Sequence, residues 1–496
     1  MKHKTRNIKH GVNRSIFHIP YSVLYEKGII TPLVLVIASV MFVFAAALIN
    51  WSVSEHKDAS RKIKTTQALQ ISEAGVNYYK WHLEHDENDY QDGKDWCCDG
   101  DPDKSLSECG GVCGPYDREY RDYCSGSDCE GNIIGRFSLR ITPPEIGSTI
   151  VTVESNGYAY SDINNKKEIT ARVGKRSLAE YSWFSDAPMT FSVTSEVSGP
   201  VHSNDQIEFR GVCSAEITSH IEFKNGKDGV WGSGGPKSFW HFPVARVNFN
   251  NFLTDFNKIK TAAAMDDAVL PETIGTCNGD SGEGRGICYE GSGKRGYLVK
   301  FNDNATVSIY KVMSVFANPN KERIKHLSAP LLENHPMPDN GLIFLGDDVW
   351  VEGTVNGKVT VAATKLWSGG GTARMVINDS ITYADGRAGG DNLGLICEDD
   401  IIIPKHAPDT LIVDASLLSQ HGKGLYFGWY FPFAKKDYIE NYGGIITYEQ
   451  TGIKWGNPVY NGYEISKYIF NSNLSFSPPP FFPTSENFEV LSWSEN

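Results

Sequence analysis

Ten cysteines are the side chains of this 496-residue chain whose spacing bears most directly on chemistry. Cys97, Cys98, Cys109, Cys113, Cys124 and Cys129 crowd into the segment DWCCDGDPDKSLSECGGVCGPYDREYRDYCSGSDCE, spaced C-C, C-x3-C and C-x4-C. That stretch holds too few apolar residues for a core, so cross-links must give it shape. Zinc prefers cleaner C-x2-C pairs, usually with histidine, so disulfides are the expectation. Sequence does not choose among the possible pairings. Cys277 and Cys288 flank the Gly-rich loop NGDSGEGRGI, and a bridge there would be worth on the order of 3 kcal/mol in the chain-entropy model. Cys213 and Cys397 either pair across the fold or stay as buried thiols.

Other candidates for chemistry have plainer readings. Asp99, Asp101 and Asp103 resemble half of a calcium loop, but Pro102 sits in its flexible middle and no Glu follows at the twelfth position, so a solvated turn is expected and no metal site is assigned. GSGKR at 291–295 has Cys288 where a phosphate loop needs its first Gly, and Arg295 where it needs a hydroxyl. No G-x-S-x-G or H-E-x-x-H occurs. His202 in GPVHSND reads as a structural turn histidine. Asp347, Asp348, Asp379, Asp385, Asp391, Glu398, Asp399 and Asp400 would supply acids to a carbohydrate-active enzyme, yet turns of any strand-rich stack are rich in Asp. No catalytic residue and no cofactor is assigned. The aromatic-dense FGWYFPFAKKDY (427–438) is either core filling or a sticky surface for a glycan or a partner subunit.

These residues must be positioned by elements, and the first is plain. IITPLVLVIASVMFVFAAALIN (29–50) has no charged side chain, and a helix of about 22 residues at ~1.5 Å each spans a ~30 Å hydrocarbon core. Lys2, Lys4, Arg6, Lys9, Arg14 and Lys27 precede it against one acid, Glu26, which keeps the N-terminus in the cytoplasm and sends the bulk outside. Export agrees with the cysteine usage. A cleaved secretory signal fits less well, because the apolar run is long and no small-x-small site follows. A net charge of −13 argues against nucleic acid as a partner. Residues 52–84 stay helical but turn amphipathic, with Ile63, Leu69, Ile71, Val76, Tyr79 and Leu83 forming a stripe that thickens toward the end.

Lys27-Gly28 before an apolar stretch, an amphipathic half and then ISEAGVNYYKWHL (71–83) resembles the start of type IV pilin-like proteins, in particular PilX-like minor pilins. The resemblance implies cleavage by a prepilin peptidase between Gly28 and Ile29, and packing of the apolar half-helix with other pilin-like subunits. Ile29 replaces the family's usual Phe, and Leu33 replaces the Glu at the fifth mature position that helps subunits assemble in order. That departure favours a minor over a major subunit.

IIGRFSLRI, STIVTVESNGYAYS and KKEITARVG (132–175) read as antiparallel strands. Beyond 180, short β-branched runs break every few residues at Gly, Asn or Asp, which suggests stacked rungs of a parallel β-helix, with a β-sandwich as the alternative. A helix over 245–270 is expected between two stretches of rungs, and a hairpin over 296–312. The resulting fold class is mainly β with a long N-terminal transmembrane and amphipathic helix. The expected divisions are a leader (1–28), a transmembrane helix (29–51), an amphipathic helix (52–84), a Cys-rich insert with an antiparallel pilin-like sheet (85–180), a β-helix-like body (181–476) and a Pro-rich tail with one strand (477–496). GPVHSND, ICEDDIIIP and the tail SPPPFFPTSENFEVLSW resemble large exported PilX-like proteins with a solenoid-like body. The expectation for function is a non-enzymatic, membrane-inserted minor subunit of a pilus-like or secretion filament, or a surface adhesin, with a surface glycan as a candidate partner. A tethered carbohydrate-active enzyme and an uncleaved envelope protein outside any filament are the alternatives.

Overall fold

The computed structural model describes residues 30–495, apart from 88, 91–114, 125–132, 146, 265–276, 281–285, 319, 367–370, 429–432 and 457–458. The fold is mainly β, with one long apolar N-terminal helix and parallel sheets. The chain divides into two units, Met1–Gln67 and Ala68–Asn496. Helix α1 (Ile30–His85) runs unbroken through 56 residues. In the first unit it is long and apolar enough to cross a membrane, and none of that apolar stretch is buried.

In the second unit the end of α1 buries Ala68, Ile71, Ser72, Gly75, Val76, Tyr79 and Leu83, a stripe at helical spacing. It packs on an antiparallel sheet of β1 (Tyr116–Cys124), β2 (Ile133–Thr142), β3 (Val151–Ala159), β4 (Lys167–Ser177) and β5 (Thr484–Glu495), in that order. Phe137, Leu139, Ile141, Val151, Val153, Ile169, Ala171 and Val173 alternate inward and meet Ile71, Val76, Tyr79 and Leu83. Helix and sheet touch closely at Gly157: a Cβ there would lie 2.6 Å from Ser72 N and 3.0 Å from Ala68 O. Ser72 Oγ donates to Lys167 O at 2.6 Å, tying helix to sheet.

Strands β4 and β5 are neighbours in space but lie some 300 residues apart in the chain, about the length of a second hydrophobic core. Everything between them forms the body. Most of its strands lie parallel on counterparts one coil away. Trp183–Ser185, Met189–Phe191 and Ser195–Ser198 make one coil; Val201–Ser203, Ile207–Phe209 and Val212–Cys213 stack on them in register. Parallel strands buried on both faces read as continuous apolar runs, as LIFL (342–345) and III (401–403) do, and this stacked arrangement rather than the face-to-face sandwich describes the body.

The order of coils in space differs from their order in the chain. Trp183–Ser185 pairs on one side with Val201–Ser203, then Ile217–Ser219 and Trp240–His241. On its other side lies Ile445–Thr447, followed by Ser416–Ser419, Asn392–Cys397, Lys358–Ala363, Leu342–Leu345 and Ile287–Tyr289. The chain therefore enters the stack at an interior coil and builds to one end. It returns along the outside and restarts at the other end, and its last coils close on the first. Helix α2 (Phe256–Ala264) lies on the return path, shorter than the 245–270 helix expected. A 3-10 turn (Phe249–Phe252) precedes it, and 265–276 lie outside the described residues. The expected hairpin is present as Tyr297–Asn302 paired with Thr306–Val315, and Ile324–Pro336 extends it.

Three residue columns explain why the coils stack. Trp183, Val201, Ile217, Ile445, Leu417, Leu395, Val361, Ile343 and Ile287 align one per coil and fill the interior. The adjacent column carries Phe184, Ile446, Leu418, Ile396, Ala362, Phe344 and Cys288 outward, where Phe249, Phe256, Ile259, Ala263, Leu474 and Phe482 cover it. The third column runs Ser219, Ser203, Ser185, Thr447, Ser419, Cys397, all fully buried. Each lies at a strand end and bonds the corner that follows. Ser203 Oγ accepts from Asp205 N at 2.9 Å and donates to Ala187 O at 3.0 Å in the adjacent coil. Ser419 Oγ and the Cys397 thiol both donate to Asp399 O, at 2.7 and 2.9 Å. The first corner amide still reaches the adjacent coil, as Asn204 N does to Ser185 O at 2.9 Å, and the column's hydroxyls and thiol satisfy corner groups beyond it.

Candidate functional site

Gly28 and Ile29, the expected processing residues, lie outside the described residues, as do Cys97, Cys98, Cys109, Cys113 and Cys129. Cys124, at the end of β1, is disulfide-bonded. Cys277 and Cys288 form a disulfide with Cα atoms 4.9 Å apart. It joins Cys277, just before the outermost strand Asn278–Asp280 of one sheet, to Cys288 on that strand's antiparallel partner Ile287–Tyr289. Cys213 and Cys397 are free buried thiols. Cys397 occupies a place that Ser419 and Thr447 hold in the coils on one side and Ala363 on the other, and burial pushes its thiol well up, which removes thiolate reactivity.

His202 is on a strand, Val201–Ser203, not in a turn. It is buried against Phe184, bonded through Nδ1 to Thr218 Oγ1 at 2.9 Å and through Nε2 to Asn204 Oδ1 at 3.1 Å. Burial lowers its pKa, so the ring is a neutral strut. GSGKR precedes a strand, Tyr297–Asn302, where a phosphate loop needs a helix N-terminus. Of the aromatic segment 427–438, Phe427 is fully buried and Phe433 is 94 % exposed, while 429–432 lie outside the described residues. Asp99, Asp101 and Asp103 lie outside as well.

Most of the acids that stand out in the sequence are committed to corners. Asp347 accepts from Ser292 Oγ at 2.5 Å and from Asp348 N at 2.8 Å. Asp348 accepts from Lys365 Nζ at 2.6 Å, Arg374 N at 2.9 Å and the Arg374 guanidinium at 3.1 Å. Glu398 takes Thr364 Oγ1, Lys365 N and Ala373 N at 2.7–2.9 Å. Asp391 bridges Gly357 N and Asp385 N, and Asp400 takes Lys423 N at 2.9 Å. Asp399 takes Thr372 Oγ1 at 2.8 Å, and Asp379, exposed, takes Ser380 N. Asp385 is exposed. Carboxylates that accept backbone N–H groups hold loops, and little lone-pair capacity is left for a substrate.

The convergence of carboxylates that sequence did not reveal lies elsewhere, on the outward face of the largest sheet. Arg387 donates to Asp414 at 2.8 and 3.1 Å and pairs with Glu440 at 2.5 Å. Tyr438 donates to Glu440, and the Arg387 guanidinium lies 4.8 Å over the Tyr442 ring. Burial raises the Asp414 pKa against the pull of Arg387. The Glu440 pKa is lowered: burial, which would raise it, is outweighed by Tyr438 and Arg387. The three charged residues come from three coils, so no local motif signals them. Among the described residues no group of three or more His, Cys, Asp or Glu is placed to hold a metal ion. A cleft of about 460 Å³ lies where α1 ends, lined by Leu83, Glu84, His85, Lys175, Glu486 and Phe488.

No family model matches the chain, and no curated protein matches it. Among solved structures the chain is similar to the competence-associated pilin ComZ from Thermus thermophilus, at 14 % identity over 87 % of this chain and 97 % of that one. The TM-score of 0.28 is below that of a shared fold.

Proposed function

We propose that this protein is a pilin-like, membrane-inserted minor subunit of a type IV pilus-like or secretion filament, or a surface adhesin, which displays the coiled body, read as a parallel β-helix, outside the cell and catalyses no reaction. One observation carries the proposal: a single helix passes without a break from an apolar, unburied stretch into a stripe that packs under an antiparallel sheet. An anchor alone needs no such continuity. The Lys/Arg-rich leader supports a cytoplasmic N-terminus. Prepilin peptidase and other pilin-like subunits are the partners this implies, and a surface glycan is a candidate ligand. Mass spectrometry of the N-terminus from the native host tests it. A mature chain starting at Ile29 supports filament entry; a chain that keeps residues 1–28 refutes processing and leaves an uncleaved envelope protein.

A second reading, a tethered carbohydrate-active enzyme, draws on the Arg387, Asp414 and Glu440 cluster, where two buried carboxylates meet a half-buried cation. Their mutual saturation favours a brace between coils. Release of reducing ends from uronate-containing polysaccharides, lost in Arg387→Ala, would reverse that preference.

A further inference from the structure

Glu322 follows the hairpin strand Thr306–Val315 and precedes Ile324–Pro336. Its backbone caps a tryptophan: Trp350 Nε1 donates to Glu322 O at 2.6 Å. Trp350 in turn lies in a small apolar cluster with Leu298, Val312 and Val376, flanked by Tyr310, Val315 and Ile324. The loop thus closes one face of the body near its restarting end.

The Glu322 side chain is 2 % exposed, and neither carboxylate oxygen makes a hydrogen bond of ordinary geometry to the described residues, so only weaker pulls from its own backbone N–H, Lys321 and Arg374 oppose its burial. Lys321 Nζ is 3.8 Å away, an ion pair beyond hydrogen-bond reach. Arg374, from the segment before the strand Met375–Tyr383, also acts on it, but its guanidinium is held by Asp348. Lys321 and Arg374, with Asp348 behind Arg374, are the charged groups that bear on Glu322 from the elements around it. A carboxylate buried without full pairing is costly when ionised and far less so when protonated.

We propose that Glu322 makes this loop a pH-responsive latch, closed over Trp350 when the carboxyl is protonated and loosened when it ionises. Burial raises the Glu322 pKa against the opposing pull of Lys321, its own backbone N–H and Arg374. An acid whose folded pKa is raised adds stability that is complete below the ordinary carboxylate range and is lost as pH climbs through the folded value. The closed state is therefore the acidic one. An extracytoplasmic body meets changes of pH that a cytosolic protein does not, and the latch would convert them into exposure of the Trp350 cluster.

The test is hydrogen exchange by mass spectrometry on the full chain in detergent micelles from pH 5 to 8.5, corrected for intrinsic rates. Amides of Arg323–Lys325 are read against those of Leu342–Leu345. Opening of the loop should rise with pH, up to roughly tenfold for each unit separating folded and unfolded pKa values. In Glu322→Gln, which keeps the shape without the charge, the corrected profile should be flat and as closed as the wild type in acid. In Lys321→Met the rise should be steeper. A Glu322→Gln profile that keeps the wild-type slope, or that opens more at every pH, overturns the proposal, as does a Lys321→Met profile that superimposes on the wild type.

Discussion

Thr447 sits where the last coils close on the first, paired in register with Ser185, and its hydroxyl is fully buried. That hydroxyl accepts from Gly424 N at 2.9 Å and donates toward Glu449 O at 2.8 Å and Gly422 O at 3.1 Å. Thr447→Val keeps the branched shape and removes only the oxygen, so the cost is polar. It leaves a buried N–H without a partner, worth about 1–3 kcal/mol. If a body of roughly 300 residues unfolds as one unit, about 2 kcal/mol lowers its midpoint by about 3 °C, at ~2.1 cal/mol/K of unfolding entropy per residue. Calorimetry of the full chain in detergent reads the midpoint, and hydrogen exchange at Gly424 reads the local effect. A variant that melts at or above the wild type with Gly424 still protected would refute the idea that the buried hydroxyl column holds the corners.

Other outcomes follow from the same packing. Cys397→Ser should change stability by less than about 1 kcal/mol, because Ser419 already holds that place in the coil on one side, while Cys397→Leu should cost about 1–3 kcal/mol by overpacking; denaturant titration separates them. Gly157→Ala should cost about 1–3 kcal/mol, since its Cβ meets the helix backbone at Ser72, and limited proteolysis after Lys80 should become faster. His406 is held neutral, with its pKa lowered to about 4 by burial first and then by Arg323 and Lys436. A depressed histidine loses its contribution as pH falls from the ordinary value near 6.5 toward 4, so melting midpoints should drop over that window less steeply in His406→Gln than in the wild type.

The long helix is legible because 22 uncharged residues and then a 3.6-residue stripe leave few alternatives, and β2 and β3 are legible because their burial alternates at period two. The order of coils is not. Parallel pairing joins Trp183 to Ile445 with no local mark in either strand, and only the registers expose the closure. His202 looks like a turn residue because a three-residue strand between Gly-Pro and Asn-Asp carries no periodicity. The buried column is latent in the repeat of a strand ending in Ser before a three-residue corner, as in WFS-DAP and VHS-NDQ, but register is needed to see it. Arg387, Asp414 and Glu440 lie 27 and 26 residues apart on successive coils, a separation no short motif spans. The acids that do stand out in the sequence stand out by density, and density marks corners.

The body's insertion between β4 and β5 has a mechanical consequence. The chain leaves β4 at Ser177 and re-enters β5 at Thr484, and these residues are partners in the ladder. A pull on the body that is resisted through the helix is therefore divided between two neighbouring strands loaded at the same end and in the same direction. Neither strand is peeled from the other. Rupture requires β4 to slide along β3, breaking in parallel the ladder from Val151↔Val173 to Gly157↔Lys167. A single tether at one terminus would fail one bond at a time; this mount shares tension across the whole ladder at once.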